Sequence, residues 1–164
     1  MDYLFLISTT FGVLATIFYL YSDMQQDDKK LDFYYTIGNA AFVVHLLLMG
    51  SFIASGSVVL AIIRNLVLRK TKASWVPIFF VAVFLLIFFT TLLYASTWQE
   101  CLPAAVSLIM TYAFGYTKKH MLTFLIATCS ILWLIVGVGI GSYSIIVLEI
   151  VSILILIYRA YKQS

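Results

Sequence analysis

Apolar residues run in long stretches through this chain, and charges and glycines cut them into seven runs, at about 3–22, 32–49, 52–68, 76–95, 101–117, 120–138 and 142–161. A helix needs roughly 20 predominantly apolar residues to cross a hydrocarbon core, so each run predicts a spanning helix. The separators are 23–31, Gly50-Ser51, 69–74, 96–100, Lys118-Lys119 and 139–141, and none can hold a soluble domain. Pro77 and Pro103 fall in the first turns of runs four and five. There the amide proton that a proline lacks would have no intrahelical partner. The first run has no basic leader and carries Asp2 before it, which predicts a retained span rather than a signal peptide.

Composition agrees with the pattern. The 164 residues are 63% hydrophobic and 10% charged, with a mean hydropathy of +1.07. Soluble domains are about 45–50% apolar and about 25% charged, so the excess apolar surface here is expected to face lipid. Soluble catalytic domains, nucleic-acid-binding modules and disulfide-stapled folds are excluded as starting readings. Cys101 and Cys129 lie far apart in apolar settings and are expected to be free thiols.

The few charges carry the topology. With the N-terminus outside, the inner loops hold Lys29, Lys30, Arg69, Lys70, Lys72, Lys118 and Lys119, and the C-terminal end holds Arg159 and Lys162. The outer loops hold no lysine or arginine, and Arg64 alone lies within a span. This distribution follows the positive-inside rule at every loop and places the C-terminus in the cytoplasm. It also supports the count of seven, because adding or removing one span would put basic loops on both sides.

A three-plus-one-plus-three division is readable. Lys29-Lys30, Gly50-Ser51-Phe52 and Arg64 find counterparts in Lys118-Lys119, Gly141-Ser142-Tyr143 and Arg159, at offsets of 89, 91 and 95 residues. Residues 3–68 and 101–161 are thus a candidate pair of parallel triple-helix repeats, with 76–95 as an inverting linker helix. Basic-loop coincidence between short-looped spans is the competing explanation. In helix count and sidedness the chain is similar in architecture to the SWEET and PQ-loop group. The proline–glutamine pair that names that group is absent, so its sugar-binding assignments do not transfer.

A closer likeness lies in 30–69. This stretch has Lys30-Leu31, the pair Tyr34-Tyr35, His45 followed by Leu46-Leu47-Leu48-Met49-Gly50, small residues at Ala54, Ser55 and Gly56, and then Arg64-Asn65-Leu66-Val67. In these residues, in Trp75 and Leu102-Pro103, and in length and span number, the chain resembles the bacterial inner-membrane proteins of the YgjV family. The resemblance implies a bacterial inner-membrane location, carries no established activity, and assigns no role to Glu149 or Ser152.

Polar groups inside the spans are the candidates for chemistry, since a charge at the hydrocarbon centre costs roughly 3 kcal/mol on insertion scales. Glu149 follows Ser142 by seven residues, about 10 Å along a helix from the outer end. His45 lies at a similar depth in span two, so the two could meet as a proton relay or a solute-gripping pair. Alternatively, His45 bonds a backbone carbonyl and Glu149 stays neutral, and both simply hold helices together. Arg64 is read as an inner-side charge that snorkels to the interface or pairs with Asp32. Asn39, Ser57 and Ser152 are placed along a candidate solute and proton path with His45 and Glu149. Asn65 is read as lining such a path or joining helices, and Ser55 and Thr111 as packing residues rather than ligands. Gly137, Gly139 and Gly141 are expected to loosen the end of span six near the outer surface, as a gate or merely as a turn. Tyr19, Tyr21, Trp75, Tyr94, Trp98, Tyr116, Tyr158 and Tyr161 form an interfacial belt by position.

No serine–histidine–carboxylate set, metal-ligand cluster or phosphate-binding glycine loop is present in the sequence, so neither enzymatic catalysis nor a cofactor or metal is expected. The expected class is an all-α, seven-helix membrane protein surrounded by lipid. Small-solute transport by alternating access of two triplets is the leading functional expectation. A non-transporting membrane scaffold is the alternative.

Overall fold

The computed structural model describes residues 3–23, 28–71, 73–94, 97–116 and 119–163, with side chains left undescribed at 23, 28–29, 31–32, 69, 113–116, 119–120, 122–123 and 159–163. Seven α-helices follow one another: α1 (Tyr3–Asp23), α2 (Asp28–Leu48), α3 (Phe52–Lys70), α4 (Trp75–Tyr94), α5 (Leu102–Tyr116), α6 (Lys119–Gly139) and α7 (Tyr143–Gln163). A 3-10 turn at Trp98–Cys101 leads into α5. Helices close their backbone hydrogen bonds internally, which is why such apolar segments fold this way where water is scarce. α1 and α4 contain uninterrupted apolar segments of 20 residues each, Tyr3–Ser22 and Trp75–Tyr94. The apolar stretches Phe33–Leu48, Phe52–Leu68, Phe124–Gly139 and Tyr143–Tyr158 are shorter, because polar residues open α2 and α6 and close α3 and α7. α2 begins at Asp28, four residues before the expected start.

Short connections alternate the helix directions, so the N-termini of α2, α4 and α6 and the C-termini of α1, α3, α5 and α7 share one end of the bundle, called here the basic end for the lysines and arginines in the adjoining sequence. At the opposite end two turns have the same geometry. After α2, Gly50 takes φ +75°, and the amides of Met49, Gly50 and Ser51 donate to the carbonyls of His45, Leu47 and Leu46. After α6, Gly141 takes φ +69°, and the amides of Ile140, Gly141 and Ser142 donate to those of Val136, Val138 and Gly137. Every donor and acceptor in one turn is 91 residues from its match in the other. The pattern is a Schellman motif, whose left-handed residue suits glycine because a Cβ there meets the following carbonyl. Pro77 and Pro103 sit in the first turns of α4 and α5 as expected.

The helices close a ring in which α1 packs on α2, α2 on α3, α3 on α5, α5 on α6, α6 on α7 and α7 back on α1. α4 lies against α5 and the flank of α3. The central apolar cluster comprises Ala15, Phe42, Leu46, Ala54, Val58 and Ile145, with Trp133 and Ile140 packed on it. A second cluster, Val76, Phe80 and Phe84, seats α4 on its neighbours.

Polarity is inverted relative to a soluble protein. Exposed positions carry Leu6, Phe79, Leu86, Phe89, Leu93, Ile131 and Leu154, whereas Ser8, Asn39, His45, Arg64, Ser107, Thr111, Ser130, Ser142 and Glu149 are buried. An apolar outer surface of this extent requires a cover of lipid or protein, and buried polar groups joining helices are the usual adhesive of such bundles.

Candidate functional site

The buried polar groups fall into three sets. The first stitches α1, α2 and α7 near the end opposite the basic loops. His45 is 1% exposed, and its Nδ1 lies 2.8 Å from the carbonyl oxygen of Ser8 and 2.9 Å from the Ser8 hydroxyl. A carbonyl only accepts, so Nδ1 carries the hydrogen. In the neutral ring Nε2 then accepts from Ser142, whose Oγ is 2.7 Å away, with Ser144 Oγ at 3.4 Å. The Ser8 hydroxyl donates back to the His45 carbonyl over 3.2 Å. Ser142 also caps α7, accepting the Ile145 amide at 3.4 Å. Gly12 allows this approach, since a Cβ at Gly12 would stand 2.1 Å from Ser144 Oγ and 3.1 Å from His45 Nδ1.

The second set joins α3 to α5 farther toward the basic end. Arg64 is 2% exposed and sends Nη1 to the Ser107 carbonyl at 3.1 Å and to Thr111 Oγ1 at 2.7 Å. Nε and Nη2 both donate to Asn65 Oδ1, at 3.1 and 3.0 Å. The guanidinium carbon stands 5.9 Å from the centre of the Phe84 ring, which brings α4 into the same junction.

The third set lies between these two. Tyr19 of α1 donates to Asn39 Oδ1 over 3.0 Å, and Asn39 Nδ2 donates to the Tyr35 carbonyl at 3.0 Å. Across the bundle Glu149 of α7, 8% exposed, stands near the Ser130 hydroxyl of α6. The Tyr19 phenol lies within electrostatic reach of Glu149, and the Cys129 thiol within reach of both Glu149 and Arg64. An acid, an amide and a phenol from three helices therefore share the bundle interior with a guanidinium.

Several expectations are corrected. Glu149 is not a hydrogen-bond partner of His45, because the His45 nitrogens are taken by serines from α1 and α7 while Glu149 turns to α6. Arg64 does not snorkel. Its fork matches acceptors offered by α5 and by its neighbour Asn65, so the guanidinium stays inside. Asp32, the other expected partner, lies outside the described side chains. Tyr19 belongs to the interior through Asn39 rather than to a belt, whereas Trp75, Tyr94, Trp98 and Tyr158 are exposed at helix ends. Tyr116 and Tyr161 are outside the described side chains. Gly141 makes the expected turn after α6, whereas Gly137 is a close-packing point. A Cβ at Gly137 would come 2.8 Å from Ile145 Cγ2, and one at Gly139 would meet only the flexible end of Gln99.

Ser57 is 1% exposed and its hydroxyl has no hydrogen-bond partner, while Ser152 is half-buried on α7, one turn beyond Glu149. Ser55 reaches the Val43 carbonyl at 3.5 Å. Cys101 and Cys129 are free thiols. Sequence reasoning missed Ser8, Ser130, Ser142, Ser144 and Tyr19 as partners. Serines at helical spacing carry no mark of which helix they will face.

A family model described as a bacterial inner membrane protein, Imp-YgjV, matches residues 6–164. No curated protein and no solved structure matches the chain. Because the match covers nearly the whole sequence, the chain belongs to this family of bacterial inner membrane proteins.

Proposed function

We propose that this family member is a multi-pass transporter of a small polar solute, with its N-terminus and the two glycine turns on the periplasmic side and its basic end in the cytoplasm. The observation that carries the reading is the interior set formed by Tyr19–Asn39 on one side and Ser130–Glu149 on the other. Buried acids in a membrane bundle are costly and mark solute or proton pathways by default. This acid shares its surroundings with hydroxyl and amide groups that could exchange hydrogen bonds with a solute. Glu149 is assigned to the solute or proton, Tyr19 and Asn39 to orienting it, and His45 to holding α1, α2 and α7 together.

A ligand-stabilisation screen identifies the solute, because binding to the folded state raises apparent stability. Uptake of that solute into proteoliposomes is expected to fall by ~10-fold or more in Glu149→Gln, a loss typical of removing an essential charged contact. The variant should still elute as the native protein. Uptake unchanged in Glu149→Gln would refute the assignment. The scaffold alternative draws support from the close packing at Gly12 and His45, which leaves that end filled. It would be favoured if no solute in the screen shifts stability.

A further inference from the structure

The two glycine turns and the ring order share one relation. Shifting each helix of the first triplet onto its counterpart turns the α1·α2, α2·α3 and α3·α5 contacts into α5·α6, α6·α7 and α7·α1, and every one of these is present. A ring that maps onto itself in this way has a two-fold axis through its centre, where α2 and α6 are opposite members. A side chain on such an axis must meet its own counterpart. Phe42 and Trp133 are 91 residues apart, the offset of the turns, and their rings meet edge-on with centroids 5.2 Å apart.

The layer around this pair obeys the same offset. Ala54 of α3 and Ile145 of α7 are counterparts in the same apolar cluster, and Leu46 of α2, also in that cluster, is the counterpart of Gly137 of α6. Sizes are exchanged between the halves: leucine with alanine in one, glycine with isoleucine in the other, with Gly137 in close approach to Ile145. One turn toward the basic end the chemistry changes. Asn39 and Ser130 precede Phe42 and Trp133 by three residues each, and Glu149 follows Ile145 by four. The polar interior set therefore begins directly beneath the aromatic pair. On its other side Phe42 stacks on His45, with centroids 6.1 Å apart and planes 24° apart, and His45 is pinned to α1 and α7.

We propose that Phe42 and Trp133, meeting on a pseudo-two-fold axis between residues 3–68 and 101–161, form the barrier that closes the solute path away from the basic end. The solute-binding layer is then the one beneath them, contributed by Asn39 and Tyr19 from the first half and Ser130 and Glu149 from the second. The proposal rests on the transport reading. A barrier on the axis serves alternating access because both halves contribute equally to it, so a relative rotation of the halves parts the two rings. The His45 stitch holds Phe42 in the closed position through ring stacking.

The test places a reporter in the layer beneath. Ser130→Cys in a Cys101→Ala/Cys129→Ala background is reacted with a membrane-impermeant cationic methanethiosulfonate added to one face of membrane vesicles at a time. The reagent is expected to reach residue 130 from the basic face only. Adding Phe42→Ala or Trp133→Ala should open the opposite face, raising the rate from that side by ~10-fold or more, as expected when a barrier to entry is lowered. The two changes should act about equally. Phe42→Leu and Trp133→Leu, which remove less volume, should give intermediate rates and stand in if an alanine variant does not elute as native protein. Labelling from the opposite face in the parent, or no gain in any of the four variants while the basic face stays reactive, overturns the barrier and leaves the transport reading intact. Protection of residue 130 from both faces in every variant overturns the transport reading itself.

Discussion

At Gly12 the backbone of α1 comes so near α7 that a single methyl group has no room. Ser144 Oγ, Ser144 Cβ and His45 Nδ1 all stand within 3.1 Å of where it would be placed. Gly12→Ala must displace the Ser144–His45 contact, and forcing an extra carbon into a packed interior costs about 1–3 kcal/mol. A thermal melt in detergent should show the drop as a Tm lower by several degrees. Ser144→Gly removes the two nearest atoms, so the double variant Gly12→Ala/Ser144→Gly should recover part of the loss, a non-additivity expected only between groups in contact. Equal, additive losses would mean that the two helices do not approach here. None of this closeness was legible in the sequence. Gly12 is one glycine in an apolar run, and the groups it admits are 33 and 132 residues away. The burial of Arg64 was hidden for a similar reason. An arginine two turns from a helix end reads as snorkelling until the acceptors on α5 are seen.

Among the elements, the turns show how far a short motif reaches. The pair Gly-Ser at 50–51 and 141–142 was visible in the sequence and located both connections to the residue. What it could not convey is that both glycines are left-handed and that both turns close with the same set of hydrogen bonds. The consequence is a matched prediction. Gly50→Ala and Gly141→Ala should each destabilise by about 1–2 kcal/mol, the cost of placing a Cβ in the left-handed region. Gly50→Asn and Gly141→Asn should lose less, because asparagine is tolerated there. No Cβ-sized obstacle lies near either position, so strain and not collision sets the loss. Unfolding in a denaturing detergent series would measure it, and a clear inequality between the two alanine variants would mean that the turns are not equivalent. α6 shows the opposite lesson. Its spaced glycines looked like weakness in the sequence, whereas Gly137 admits the branched side chain of Ile145.

For the whole molecule, helix number and order were legible because each apolar run is bounded by charges, turns or prolines that serve no purpose inside a lipid-facing helix. The polar interior was legible only as a set of residues, not as an arrangement. His45 and Glu149 lie at similar depth along their helices, yet they face different neighbours, and depth alone cannot distinguish rotation about a helix axis. The same reasoning sets the test of orientation. Alkaline phosphatase fused after residue 50, 100 or 141 should be active, and a fluorescent protein fused at the C-terminus should fold and fluoresce, because every lysine and arginine except the buried Arg64 falls toward the other face. Phosphatase activity from a fusion near Lys72 would reverse the assignment.

The His45 stitch also has a consequence for biogenesis. Its Nδ1 partner, Ser8, precedes it by 37 residues and is already in the membrane when α2 is made. Its Nε2 partner, Ser142, follows 97 residues later, at the start of the last helix. A bundle of six inserted helices therefore holds an imidazole nitrogen with no hydroxyl from α7 to bond. α7 is the segment that relieves it, so the junction begun by the first two helices is completed only when the seventh packs against them.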